Sequence, residues 1–281
     1  MSLLLMLPAS IFAQQTSLSI LTQKATELGI DESYITRLQE RAQVNGISED
    51  QLAEILEPAV TLAEGNLPFD MILEKTSEGL AKRVPNHVLV NVLRGLQEAT
   101  QHSVQIVDPW MQGQAVQNML KRTGGSQESA QQFRKDMLKN TGRALNQGLS
   151  EQAVTDFMNE LNNDEVLSKV DANEIVTSLT ILPDLPTSSD NPELSGKLII
   201  RSLKGGFKSA DLQKLPSAMQ MAQSRGQLPA GNIVNGILQQ LEIGAPATNI
   251  LQGLFDGKIG SPPAGVPGRP GNPIDGNSGS S

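Results

Sequence analysis

Cysteine is absent from the 281 residues. That excludes disulfides, thiolate metal sites, a cysteine nucleophile and a lipidated N-terminal cysteine. Aromatic residues are scarce as well: six Phe, one Tyr and one Trp. The core must therefore be built from Leu, Ile, Val, Ala and Met. Such side chains suit close-packed helices better than β-sandwiches, whose strands favour aromatic and β-branched residues. Clustered positive charge is missing too. The formal net charge is −8, and basic runs such as Lys82-Arg83 and Lys121-Arg122 are only pairs. Tracking a phosphate backbone needs a basic stripe, so nucleic acid and anionic lipid surfaces are not expected partners. No stretch after the N-terminus holds eighteen uninterrupted apolar residues, so no membrane span is expected in the mature chain.

The first thirteen residues, MSLLLMLPASIFA, carry an apolar block, a breaking Pro8 and a small Ala13 before the polar run Gln14-Gln15-Thr16-Ser17. The pattern is that of a secretory signal and its cleavage site. As a helix, 1–13 would reach roughly 20 Å, short of a hydrocarbon core of about 30 Å. The expectation is export to the periplasm or beyond, with the segment removed.

A rhythm follows. Gly29-Ile30-Asp31, Gly46-Ile47-Ser48, Asn66-Leu67-Pro68 and Arg83-Val84-Pro85 each place a small or polar residue before an apolar one, then a helix-opening residue. Their starts are 17, 20 and 17 residues apart, room for one helix and a short turn. Ser48 and Gln51 have capping-box spacing, and Pro68 and Pro85 suit a first helical position. Apolar stripes agree: Leu52, Ile55, Leu56, Ala59; then Phe69, Ile72, Leu73, Leu80; then Val88, Val92, Leu96, Ala99. Helices this short are marginal alone and must bury their stripes on neighbours.

The same rhythm returns late. Aligning Leu67-Pro68 with Leu228-Pro229 puts Ile72 on Ile233, Leu73 on Val234, Leu80 on Leu241 and Pro85 on Pro246. This reads as an internal repeat of helix pairs. Between the copies, Asp108-Pro109 predicts a helix start, Ser126 a cap for a helix toward Asn146, and Asp171 with Glu174 a second capping box. The break at 183–192, PDLPTSSDNP, is a candidate hinge. Residues 261–281 are Gly/Pro-rich, hold Val266 and Ile274 as their only large apolar residues, and are expected to be disordered. The fold expected is all-α: short antiparallel helices in helix-pair repeats, bundle-like or solenoid-like, with a disordered C-terminal tail. Its regions are a signal peptide at 1–13, helical repeats at 17–105 and 191–260, a middle helical region at 106–182, and the tail at 261–281.

Residues 67–85, LPFDMILEKTSEGLAKRVP, carry one further feature. They resemble a segment of uncharacterised secreted bacterial helical proteins with an LPxxxLLxKxxEGxAKxVP pattern. The resemblance covers mainly residues 45–100. It implies a helical, exported protein and supplies no catalytic residues.

Chemistry is thinly represented. His87 and His102 are fifteen residues apart, one just inside a helix start and the other just past its end, so neither suggests a metal site. The acids and amides from Asn162 to Glu174 lack the alternation and central Gly of a calcium loop. No G-x-S-x-G elbow and no phosphate loop ending in Gly-Lys-Ser/Thr occurs. Glu74 and Glu78, four apart on one helical face, are the best-placed carboxylate pair, but nearby Lys75 and Lys82 point to a salt-bridged surface. Trp110 is either a packing residue or a binding anchor. The expected function is an exported, non-enzymatic helical scaffold that binds another protein or itself, without cofactor or metal, with Trp110, Glu74 and Glu78 as candidate binding residues. The alternatives are a carrier of an apolar small ligand, favoured by nine methionines, and an enzyme with an unrecognised carboxylate site. An acidic chain favours basic or mixed partners.

Overall fold

What stops one helix here also starts the next. In the computed structural model, which describes residues 17–187 and 190–259, helices end on a residue in the left-handed region: Gly29, Gly46, Asn66, Arg83, Gly148, Gly206 and Gly244, with φ between 54° and 97°. The following apolar residue then turns its backbone N–H to a carbonyl five residues back. Ile30 reaches Ala25, Ile47 reaches Ala42, Leu67 reaches Leu62, Val84 reaches Gly79, Leu149 reaches Ala144, Phe207 reaches Ser202 and Ala245 reaches Gln240, all at 2.9–3.1 Å. This is the Schellman closure, which satisfies carbonyls a helix end leaves open. Its apolar residue drops toward the core, as Ile30 and Phe207 do, each at most 2% exposed. A cap for the next helix comes one residue later, or two after Leu67, where Phe69 is the cap. Ser48 and Asp171 form full capping boxes, and Asp31, Ser126, Ser150 and Asn191 accept backbone N–H bonds.

The helices are α1 (Ser17–Glu27), α2 (Glu32–Val44), α3 (Glu49–Glu64), α4 (Asp70–Ala81), α5 (Asn86–Met111), α6 (Gln114–Arg122), α7 (Gln127–Asn146), α8 (Glu151–Leu161), α9 (Asp164–Leu167), α10 (Ala172–Ile181), α11 (Pro192–Lys204), α12 (Ser209–Leu212), α13 (Leu215–Gly226), α14 (Ala230–Glu242) and α15 (Ala247–Phe255). A 3₁₀ turn covers Leu182–Asp184, and no strand occurs among the described residues. Alternate helices stack, α1 on α3, α3 on α5, α5 on α7, α2 on α4, α10 on α12 and α13 on α15, while α7 also packs on α10 and α8 on α11. The fold is all-α, and its layered stacking is that of a helical-repeat protein.

Several sequence expectations shift. Pro68 and Pro85 miss the first helical position: Pro68 stands two residues before α4, whose N-cap is Phe69, and Pro85, like Pro229 and Pro246, stands at the residue just before its helix with ψ of 137–148°. The Pro ring fixes φ near the value this extended cap needs, and the apolar residue before it is kept extended. Asp108-Pro109 starts no helix. It lies in the last turn of α5, where proline forfeits one hydrogen bond, and the next helix opens after Gly113. His102 consequently sits inside α5, not past its end. The buried face of α5 is Leu89, Leu93, Leu96, Thr100, Ser103, Val107 and Trp110. Val88 and Val92 are exposed, at 41% and 45%. Two apolar stripes overlap on this helix, and the neighbours select the one extending through its whole length.

Two hydrophobic cores result. The first runs from Leu18 to Leu96 and the second from Ile106 to Leu254. Helix α5 contributes to both. Between them, α5 crosses α7 through small residues, and a Cβ on Gly142 would lie 2.9 Å from the Thr100 Cα. The segment 183–192 is not a joint between cores: Leu182, Leu185 and Leu198 are buried in the same second core. The two aligned copies repeat as local structure. Asn66 and Gln227 have φ of 55° and 51°, Arg83 and Gly244 54° and 73°, and Ile72 and Ile233 are both buried. Their surroundings differ, since α4 packs on α2, α3 and α5 while α14 packs on α11 and α13. The signal-like segment 1–13 and the tail 261–281 lie outside the described residues.

Candidate functional site

The sequence candidates are far from forming one site. Trp110 is 6% exposed in the second core. Its indole N–H donates to the Met158 carbonyl at 2.8 Å, and its ring meets Phe133 at a centroid distance of 6.3 Å, tilted by 44°. Both its polar handle and its face are occupied within the fold. Glu74 is exposed and pairs with Lys139 of α7 at 3.6 Å. Glu78 is held by two ammonium groups of its own helix and turn, Lys75 at 2.7 Å and Lys82 at 2.6 Å. Hydrogen bonds from Lys75 and Lys82 lower its pKa to about 2. A carboxyl that ionises so readily cannot serve as a proton donor near neutral pH.

The amide- and acid-rich stretch after α8 is committed to local structure. The Asn163 Oδ1 accepts from the Glu165 backbone N–H at 2.9 Å, and Asp171 and Glu174 exchange capping bonds. Glu174 is buried, and Lys208 closes on it at 2.9 Å. The hydrogen bond from Lys208 to Glu174 raises the lysine pKa. Arg122 binds the carbonyls of Leu167, at 2.8 Å, and of Ser168 and Val170, holding α6 to the end of α9. No group of three His, Cys, Asp or Glu that could hold a metal occurs among the described residues. No helix among them is long and apolar enough to cross a membrane. Most of the described methionines go into packing: Met119, Met137, Met158 and Met219 are buried in the second core and Met71 in the first, whereas Met221 is exposed.

A surface concavity lies elsewhere, along α11. An open trough of about 810 Å³ is bounded by Asn159, Glu160, Asn162 and Asn163 at the end of α8 and by Lys197, Ile200, Arg201 and Lys204 of α11. It continues past Asn159 and Glu160 toward Asp156, Pro192 and Glu193, in a further 360 Å³. On the other flank it passes over Lys197, Arg201 and Lys204 toward Leu238, Leu241 and Glu242 of α14, in another 160 Å³. The α8–α11–α14 stacking creates this line, and helical spacing puts Lys197, Arg201 and Lys204 on one face of α11. Lys204 pairs with Glu165 at 2.7 Å. Its hydrogen bond and charge lower the Glu165 pKa. Lys197 and Arg201 are exposed and make no ion pair with a described residue. No sequence motif marks these three cations. Their 4-and-3 spacing was visible, but only the α8 and α14 neighbours turn it into the wall of a trough.

Compared with family models, with curated proteins and with solved structures, the chain matches none.

Proposed function

We propose that the chain is an exported, non-enzymatic helical scaffold that binds another protein or assembles with itself. The observation that supports it most is the open polar trough spanning three stacked helices, α8, α11 and α14. Stacked short helices make extended surfaces of this kind, and a long shallow groove suits a chain segment better than an enclosed pocket-seeking small molecule. The carrier reading draws no comparable support, because five of the methionines, Met71, Met119, Met137, Met158 and Met219, are buried in the two cores. Export rests on the signal-like residues 1–13 and on the resemblance of 67–85 to segments of secreted bacterial proteins.

Two measurements test the proposal. N-terminal sequencing of the protein from a fractionated bacterial cell is expected to find the mature chain starting near Gln14 in the periplasm or medium. Affinity capture from an envelope fraction, alongside sedimentation of the purified chain, is expected to give a specific partner or a defined oligomer. A strictly monomeric species with no specific partner overturns the scaffold reading.

A further inference from the structure

We infer that the trough along α11 receives an extended acidic segment of another protein, with carboxylates at alternate positions. This rests on the scaffold reading and names its surface and the chemistry of its partner. Asp156, Glu193 and Glu242 lie toward the two ends of the line, but its central stretch is lined by three cations and one carboxylate, Glu160. In a chain with 22 basic and 30 acidic residues, that is a local reversal of sign. The partner matched to this surface is therefore acidic, although the net charge alone favours a basic one.

Geometry narrows the segment. With a helical rise of about 1.5 Å per residue, Lys197 and Arg201 lie about 6 Å apart along α11. Same-face residues of an extended strand recur every ~6.6–6.8 Å. Carboxylates at positions n and n+2 of such a strand can therefore meet Lys197 and Arg201 together. Both cations are exposed and without an ion pair among the described residues, whereas Lys204 is already engaged by Glu165. An extended segment also brings backbone N–H and C=O groups that need partners. The opposite wall offers Asn159 and Asn162, whose amides carry both donors and acceptors. Between the cations, Ile200 supplies an apolar floor. The chain does not itself carry the matching segment outside its described ends: residues 1–16 contain no Asp or Glu, and 260–281 contain only Asp275.

The test uses the full chain and two fluorescein-labelled peptides, acetyl-(Glu-Thr)4-amide and its neutral isostere acetyl-(Gln-Thr)4-amide, read by fluorescence anisotropy. The acidic peptide is expected to bind at least ~tenfold more tightly than the isostere, and to lose at least ~tenfold between about 50 and about 500 mM NaCl. Lys197→Gln with Arg201→Gln is expected to lower its affinity by at least ~tenfold. Lys197→Glu with Arg201→Glu is expected to transfer binding to acetyl-(Lys-Thr)4-amide. Equal binding of the two unmutated-chain probes, no binding of either, or displacement of the acidic peptide by an equal concentration of inorganic phosphate overturns the inference; the first two results need no variant to fold. If the acidic peptide fails while the native chain still captures a specific partner, the scaffold reading stands and the trough assignment falls. If the peptide binds but neither partner nor oligomer exists, the scaffold reading falls and an acidic-peptide site remains.

Discussion

Trp110 and Glu78 show how a single side chain is committed by its surroundings. The indole N–H of Trp110 is spent on Met158 and its ring on Phe133. As the only tryptophan, it should emit at the blue end of the indole range and resist quenching by iodide. Trp110→Ala should lower stability by about 3–5 kcal/mol in a urea titration, the cost of a large core cavity. Ready quenching in the native chain would place the ring at the surface. Glu78 is governed by charge instead. Its folded pKa, about 2, is below the ordinary 4.5. Its contribution to stability is therefore present above about 4.5 and is lost as pH falls through about 2. Carboxyl NMR titration should find Glu78 ionised at pH values where free glutamate has largely protonated. Lys82→Gln should raise its pKa toward the ordinary value, and an unchanged titration would show that the ion pair is not formed in solution.

At the scale of elements, the recurrent helix–turn–helix joint carries the fold. Gly46 adopts φ of 73° with nothing within 4 Å of a would-be Cβ. Gly46→Ala should therefore cost about 1–2 kcal/mol by backbone conformation alone. Gly231, inside α14 and equally open, should accept Ala without loss. Gly142→Ala works through packing: the new methyl meets the α5 backbone at Thr100, so about 1–3 kcal/mol should be lost despite the better helix propensity. Thermal melts of the three variants check this order, and equal effects at Gly46 and Gly231 would contradict the joint. Much of this level is legible in sequence because caps and closures are local. Gly46-Ile47-Ser48 announces the end of one helix, the apolar plug and the next cap within three residues. What local reading misses is neighbour choice. Nothing near Val88 and Val92 says that Leu89 and Leu93 will face the core instead, because the first-core helices α3 and α4 make that selection. Pro109 misleads for the opposite reason: a residue that often opens a helix is tolerated in the last turn of a long one.

Across the whole molecule, two apolar cores share one 26-residue helix, α5. Loosening the first core should then precede loss of the second. Ile55→Ala, expected to cost about 2–5 kcal/mol, should bring an early loss of far-UV ellipticity while Trp110 emission persists. Coincident transitions would mean that α5 binds both cores into one cooperative unit. The same long-range assembly hides the candidate site from sequence. Lys197, Arg201 and Lys204 are an unremarked basic face until α8 and α14 flank them, some forty residues on either side. The claim that this trough is where a partner docks is tested most directly by placing a photo-crosslinking residue at Arg201 or, as a control, at exposed Gln23 of α1, in the protein expressed in its host. One discrete protein adduct is expected from position 201 and none from position 23. No adduct from 201, or the same adducts from both positions, would contradict the docking claim.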